Sequence, residues 1–413
     1  MKRFTTRAIH TKASKHDAHG SLRFPVYDIA AFEFETAEEL EHAFQGRKPA
    51  HTYSRITNPT VEFFEKCVRE VSGASSVIAF SSGMAAIAAL TISLSAQGKN
   101  IVAGNHLFGN TLSFFRKTMA NFGVTLRSID LSNPSTLAQN LESAIDENTA
   151  FFYAESITNP QMEVPDLSAI SAILKKHNIL FVADTTLSPF CMLDASQHGI
   201  NIEILSSTKF ISGGAGAVGG LLLDHGTYPW KHHTLLHKEA GAFGPFTFMH
   251  RLRKEVARNL GSCLSPHAAF LHTLGMETLC LRAERACKNA LAIALFLKEK
   301  NITVHYPGLV SDPYHTVAKK QFLNMFGSVL TFSLSSKEEC YRFMDRLKII
   351  RRATNVQDNK TLIIHPASTI FSDFTKEERE DFGVGEHLIR LSAGIEDCED
   401  LISDIEEAFR NLI

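Results

Sequence analysis

The feature that most restricts the folds open to this chain lies between about residues 56 and 230, where short apolar runs alternate with longer stretches of helical spacing. The spacing predicts helices at Val61 to Val71, Gly83 to Ser95, Leu137 to Ile145 and Leu167 to His177. Strands are predicted between them at Ser76 to Phe80, Ile101 to Ala103, Val124 to Ile129, Ala150 to Ala154 and Ile179 to Ala183. These strands are near-continuous apolar runs, so both faces of their sheet must be covered. Short strands separated by helices then imply an α/β fold with a mostly parallel sheet.

The flanks read differently. Residues 1–55 are polar and irregular, with one helix candidate at Ala37 to Phe44, and are expected to form an extended arm. A large domain is expected over 56–255 and a smaller α+β domain over 256–413. The latter has a long helical region from about His267 to Lys300, strands near Ile302 to His305 and Ser328 to Leu334, and a helix at Lys337 to Leu347. A loop through Asn355, strands at Leu362 to Ile364 and Leu388 to Ser392, and a closing helix from Cys398 to Leu412 complete it.

With 42 basic and 44 acidic residues in 413, the chain has no charge bias toward nucleic acid or an anionic membrane surface. Small molecules and further subunits are the expected partners. Seven cysteines without a Cys-x-x-Cys suggest reduced thiols in a cytoplasmic protein. No stretch reaches the roughly 20 apolar residues a spanning helix needs, and the N-terminus lacks a continuous apolar segment, so a soluble chain is expected.

Lys209, in Ser206-Ser207-Thr208-Lys209-Phe210, follows one apolar run, and Asp184 ends another. An amine and a carboxylate at strand ends suit pyridoxal phosphate: the amine condenses with the cofactor aldehyde, and the carboxylate keeps the pyridine nitrogen protonated. A snorkelling surface lysine and a turn aspartate are the bland alternatives. Ser82-Gly83-Met84 follows a strand and opens a helix, where backbone N–H groups favour an anion such as phosphate. Ser82 is equally an N-cap, and the hydroxyls of Ser206 and Thr208 fit either a phosphate or loop amides.

Gly214, Gly216 and Gly219 spell a dinucleotide motif but lead into a strand-like run from Gly220 to Asp224, the wrong context for one. These glycines instead allow a close backbone approach or a sharp turn. His232, His233 and His237 place two imidazoles four apart on a possible helix, without the glutamate that would complete a metal motif, so no metal is expected. Arg390 suits either a substrate carboxylate or a structural ion pair.

Taken together, from Tyr53-Ser54-Arg55-Ile56-Thr57-Asn58-Pro59 to Arg390-Leu391-Ser392-Ala393-Gly394, the chain resembles the cysteine and methionine metabolism family of pyridoxal-phosphate enzymes. The resemblance implies fold type I, as in aspartate aminotransferase. It implies Lys209 as the Schiff-base lysine, Asp184 as partner of the pyridine nitrogen, and Ser82, Gly83, Met84, Ser206 and Thr208 around the phosphate. Tyr53 and Arg55 match residues lent to the neighbouring subunit's phosphate, which implies a homodimer or homotetramer with shared sites. Asn159 matches the residue near the cofactor's phenolic oxygen, Phe108 the ring-stacking aromatic, and Arg390, with Asn355, the clamp on the substrate carboxylate.

Thr354-Asn355-Val356 through Pro366-Ala367-Ser368-Thr369 looks like the O-acetylhomoserine sulfhydrylases, which carry Asn where relatives carry Ser. An amino-acid substrate, a sulfur donor and a place in methionine biosynthesis follow from that likeness. Cystathionine γ-synthase and methionine or cystathionine γ-lyase are the alternatives within the family, and an inactive binding protein on the same scaffold is the alternative outside it. Asn110 stands where methionine γ-lyases bear Cys. The chain departs from the family pattern at Phe108, where Tyr is usual, and at Thr185, where Asn commonly follows the aspartate; a small packing change is expected from the second.

Overall fold

In the computed structural model, residues 3–12 and 19–410 are described. Seven strands form one sheet: β1 (Ser76–Phe80), β2 (Asn100–Gly104), β3 (Thr125–Ile129), β4 (Thr149–Glu155), β5 (Phe181–Asp184), β6 (Ile202–Leu205) and β7 (Gly220–Asp224). Their order is β1-β7-β6-β5-β4-β2-β3. The pairs from β6 to β3 are parallel, and only β7 runs against its neighbours β1 and β6. Strands β2, β4, β6 and β7 are buried at every residue, as their continuous apolar sequence requires. Ile87 and Leu90 of the helix Gly83–Leu94 cover one face, against Ile101, Ile202 and Leu222. Ile170 and Leu174 of the helix Leu167–Lys176 cover the other, against Phe152 and Phe181. Each such fully buried side chain stabilises by about 1.5–3 kcal/mol.

The helix Pro59–Ser72 leads into β1, and its ends follow from local chemistry. The Asn58 side chain accepts from the N–H groups of Thr60 and Val61, Pro59 occupies the first turn, and Gly73 ends the helix at φ 74°. Parallel strands deliver their chain ends to one edge of the sheet. Leu205, Asp184 and Glu155 therefore finish β6, β5 and β4 side by side, at the edge where ligands bind in open α/β sheets.

A second sheet contains β8 (Val304–His305), β9 (Val329–Ser333), β10 (Arg351–Arg352), β11 (Leu362–Ile364) and β12 (Leu388–Ser392), in the order β10-β11-β12-β9-β8. The helices Leu279–Glu299, Lys337–Arg346 and Cys398–Arg410 pack on it around Phe332, Phe343 and Leu401. The last helix was expected to reach Leu412, which lies outside the described residues.

Four segments depart from the sequence expectation. The helical region expected from His267 to Lys300 is two helices, Pro266–Glu277 and Leu279–Glu299, broken at Thr278. Arg282 fastens the break: its guanidinium donates to the carbonyls of Gly275 and Phe210, both at 2.6 Å, and to the Thr278 hydroxyl at 3.0 Å. Helical runs also occupy 109–122 and 247–260, and a short strand, β10, precedes the loop at Asn355. No described helix is long and apolar enough to cross a membrane.

Candidate active site

A cavity of about 530 Å³ opens at the carboxyl ends of the large sheet and is closed on its far side by residues of the second sheet and its loops. It brings together Ser82, Gly83, Met84, Phe108, Asn159, Asp184, Ser206, Thr208, Lys209, Asn355 and Arg390. Of the residues singled out from sequence, Tyr53 and Arg55 are not among its walls. Tyr53 is exposed, Arg55 donates to the Arg258 carbonyl at 2.6 Å, and its guanidinium lies 5.5 Å from the Tyr53 ring.

The turn after β1 makes one end of the cavity. Ser82 caps the helix Gly83–Leu94 by accepting from Ala85 N–H at 3.1 Å, so its N-cap role is realised. A Cβ at position 83 would stand 3.0 Å from Ser206 Cβ, and one at position 220 only 2.1 Å from the Ser82 carbonyl oxygen. These glycines let β7 and the segment after β6 approach the helix N-terminus, leaving its N–H groups facing the cavity. Thr208 Oγ1 donates to Gly219 O at 3.2 Å and accepts from Gly219 N–H at 3.0 Å. The run from Gly213 to Gly219 lines no part of the cavity: Gly213 and Gly214 turn at φ 83° and 122°, and Gly219 packs against His272 and Ser207. Of the two uses expected for these glycines, a close approach to a ligand and a sharp turn, the structure contains the turn.

On the sheet edge, Asp184 accepts from Tyr153 O–H at 3.1 Å and from Thr186 N–H at 2.9 Å. Burial raises its pKa above the usual carboxylate value, and these donors act against that rise. Glu155 pairs with it in register from β4 and accepts from Phe108 N–H. Burial first, and then the neighbouring Asp184, raise the Glu155 carboxyl well above its ordinary range. The sequence reading passed over Glu155. The signal was present, since it ends an apolar strand run as Asp184 does.

Lys209 and Arg390 show the opposite tendency. Lys209 Nζ donates to Asn355 Oδ1 at 2.7 Å, and Asn355 Nδ2 in turn donates to Asp358 at 3.2 Å. Burial, with Arg390 adding to it, lowers the lysine to about 8. Arg390, 2% exposed, donates to Asn159 Oδ1 at 3.1 Å and to the carbonyls of Thr354 and Asn355 at 2.9 and 3.3 Å. All these partners are neutral, its Nε has none, and desolvation lowers it to about 9. The Asn355 side chain thus meets the lysine, while its main-chain carbonyl meets Arg390.

The histidine cluster has another use. A 3-10 helix of three residues, Trp230–His232, is followed by turns over 233–239, so the spacing of His233 and His237 does not become a helical face. His233 packs between Trp230 and Tyr228, accepts from Leu235 N–H at 3.3 Å, and is held down to about 4 chiefly by burial.

The donor set suits a flat, phosphorylated aldehyde. An amine that deprotonates near neutrality, a carboxylate for a ring nitrogen, an aromatic wall at Phe108 and a helix N-terminus free of side-chain bulk share one cavity.

Residues 5–410 match the model of the Cys/Met metabolism PLP-dependent enzymes. The chain is 36% identical to a homocysteine/cysteine synthase of Kluyveromyces lactis, covering 98% of this chain and 97% of the relative. It is 34% identical to an L-methionine gamma-lyase of Pseudomonas putida, covering 98% and 97%. A crystal structure assigned as an O-acetylhomoserine (thiol)-lyase of Campylobacter jejuni, with a pyridoxyl-lysine monophosphate, superposes with a TM-score of 0.92 at 32% identity over 99% of this chain and 100% of that one. The architecture is therefore that of the fold-type I pyridoxal-phosphate enzymes. A family match running almost end to end, on a cavity whose side chains suit the cofactor, establishes that the chain belongs to the Cys/Met metabolism PLP-dependent enzyme family and uses pyridoxal phosphate.

Proposed function

We propose that this enzyme carries out γ-replacement in methionine biosynthesis, converting O-acetyl-L-homoserine and sulfide into L-homocysteine and acetate. The observation that carries the choice of an ester is Phe108. It forms the cavity wall where the family's usual tyrosine would offer a hydroxyl to a departing group. Acetate leaves as a stable anion without a proton donor, whereas the thiolate of cystathionine or methionine gains more from one.

Bound pyridoxal phosphate supplies the aldehyde and the electron sink. The protein's own residues do the rest. Arg390, buried without an acidic partner, fixes the substrate carboxylate and gains a charge-assisted bond in doing so. Lys209 would act as the base at Cα and then at Cβ, taking a proton from each as acetate leaves Cγ and returning both once sulfide has added at Cγ; a pKa near 8 leaves part of the amine neutral at physiological pH. Asn355 holds that amine between its two tasks. Asp184, held by the Thr186 N–H, would retain the proton on the ring nitrogen, and Phe108 would cover the ring.

Because Tyr53 and Arg55 stand outside their own chain's cavity, the same reading makes the enzyme a homodimer, or a dimer of dimers, in which the partner's Tyr53 and Arg55 complete the phosphate site. Assays of purified enzyme with O-acetylhomoserine plus sulfide, methionine and cystathionine test the reading. Rapid homocysteine formation from the first supports it. Turnover confined to methionine or cystathionine makes the chain a γ-lyase, and no turnover with cofactor bound makes it a binding protein.

A further inference from the structure

Strand β6 is apolar apart from Glu203, which is 1% exposed at the centre of the sheet. A buried carboxylate is costly unless hydrogen-bonded and compensated. Glu203 has a polar partner at each carboxyl oxygen. Thr185 Oγ1 donates to its Oε1 at 2.5 Å, and His225 Nε2 lies 3.3 Å from its Oε2. Thr185 directly follows Asp184, and its backbone N–H donates to Ile204 O at 2.9 Å. The next residue, Thr186, accepts from Ser206 N–H at 2.8 Å. The turn bearing Asp184 is thus fastened at three places, to residues 203 and 204 of β6 and to Ser206 just after it. The same chain then continues to Thr208 and Lys209. Thr185 was expected to cause only a small packing change; it is a hydrogen-bond donor to a buried carboxylate.

We propose that Thr185, Glu203 and His225 form a positioning unit that locks the Asp184 turn onto β6, setting the distance between the carboxylate at the ring nitrogen and the lysine and phosphate ligands at the end of that strand. This rests on the reading of Asp184 given above. The cofactor is rigid, so a turn that drifts relative to β6 can satisfy one end of it and not both. Other ionisable groups near the unit are Asp184 itself and Asp224, which lies beside His225.

The test compares T185V, T185S, E203Q and D184N with the parent as cofactor-free proteins, measuring pyridoxal phosphate affinity and the position of the visible absorption band, together with thermal unfolding before cofactor is added. Outer partners of this kind typically contribute 10- to 100-fold, so T185V is expected to bind pyridoxal phosphate about tenfold more weakly with a displaced band, and T185S to restore both. E203Q, which keeps an acceptor for Thr185 but alters the group facing His225, is expected to fall between them, and it carries the test if T185V does not fold. The proposal is overturned if T185V, or E203Q in its place, lowers unfolding temperature while affinity and band stay within about twofold of the parent, or if T185S is as impaired as T185V. An unaltered D184N overturns the reading of Asp184 and the proposal with it; an impaired D184N beside an unaltered T185V overturns the proposal alone.

Discussion

The two carboxyls at the sheet edge and the two cations of the cavity, one just after β6 and one on β12, are electrically opposite, and both sets are unfinished. Asp184 and Glu155 stand together on β5 and β4 without an ion pair among the described residues, and burial drives both carboxyls up. Lys209 and Arg390 have only neutral acceptors, and burial drives both cations down, to about 8 and about 9. A site built for stability alone would join these groups in ion pairs, since a buried unpaired charge is costly. Keeping them apart instead favours a ligand that brings a protonated ring nitrogen to one set and a carboxylate to the other. The folded protein stores that complementarity as perturbed pKa values.

The largest expected effect of disturbing this contrast comes from the lysine. Lys209→Ala should abolish the visible band of the lysine-bound cofactor and lower turnover by about three orders of magnitude or more. A persisting wild-type band, read by absorbance, would remove Lys209 from its role. Arg390→Lys keeps the charge but loses the fork. We expect KM for the amino acid to rise roughly 30-fold, about 2 kcal/mol, with a smaller change in kcat.

Asn355→Asp sharpens the comparison by giving the lysine an acid. In the parent, the amine is lowered from 10.5 to about 8, so its reactive neutral form appears as pH rises through 8. The rate at which cofactor-free enzyme captures pyridoxal phosphate should therefore climb with pH and reach half its maximum near 8. A carboxylate at 355 stabilises the charged amine, and the midpoint should move up by about one unit or more. An unmoved midpoint in stopped-flow absorbance would show that Asn355 does not govern this amine. The smallest effect is expected from Phe108→Tyr: turnover of O-acetylhomoserine within about threefold of the parent, alongside a measurable gain in cystathionine cleavage.

Much of the site was legible because its residues sit at strand ends. Lys209, Asp184 and the Ser82-Gly83 turn follow apolar runs whose alternation with helices forces parallel strands to end together. Glu155 was missed although it has the same signature, since its role depends on standing across from Asp184 in register. The break at Thr278 was not legible either: helical periodicity runs straight through it, and the contacts of Arg282 with Phe210, Gly275 and Thr278 that fasten it exist only in the folded chain.

By itself, then, the sequence determined the layered α/β plan, through the hydrophobic periods of its strands and helices, and nominated the amine, the carboxylate and the arginine. Tertiary structure alone decided their electrostatics. Which charges are paired, and with what, depends on residues far apart in the chain: Lys209 meets Asn355, Arg390 meets Asn159, and Thr185 meets Glu203. Local pattern fixes the direction a strand must run. Partnership across the sheet and between the sheets, in surroundings that exclude water, fixes what its last residue can do.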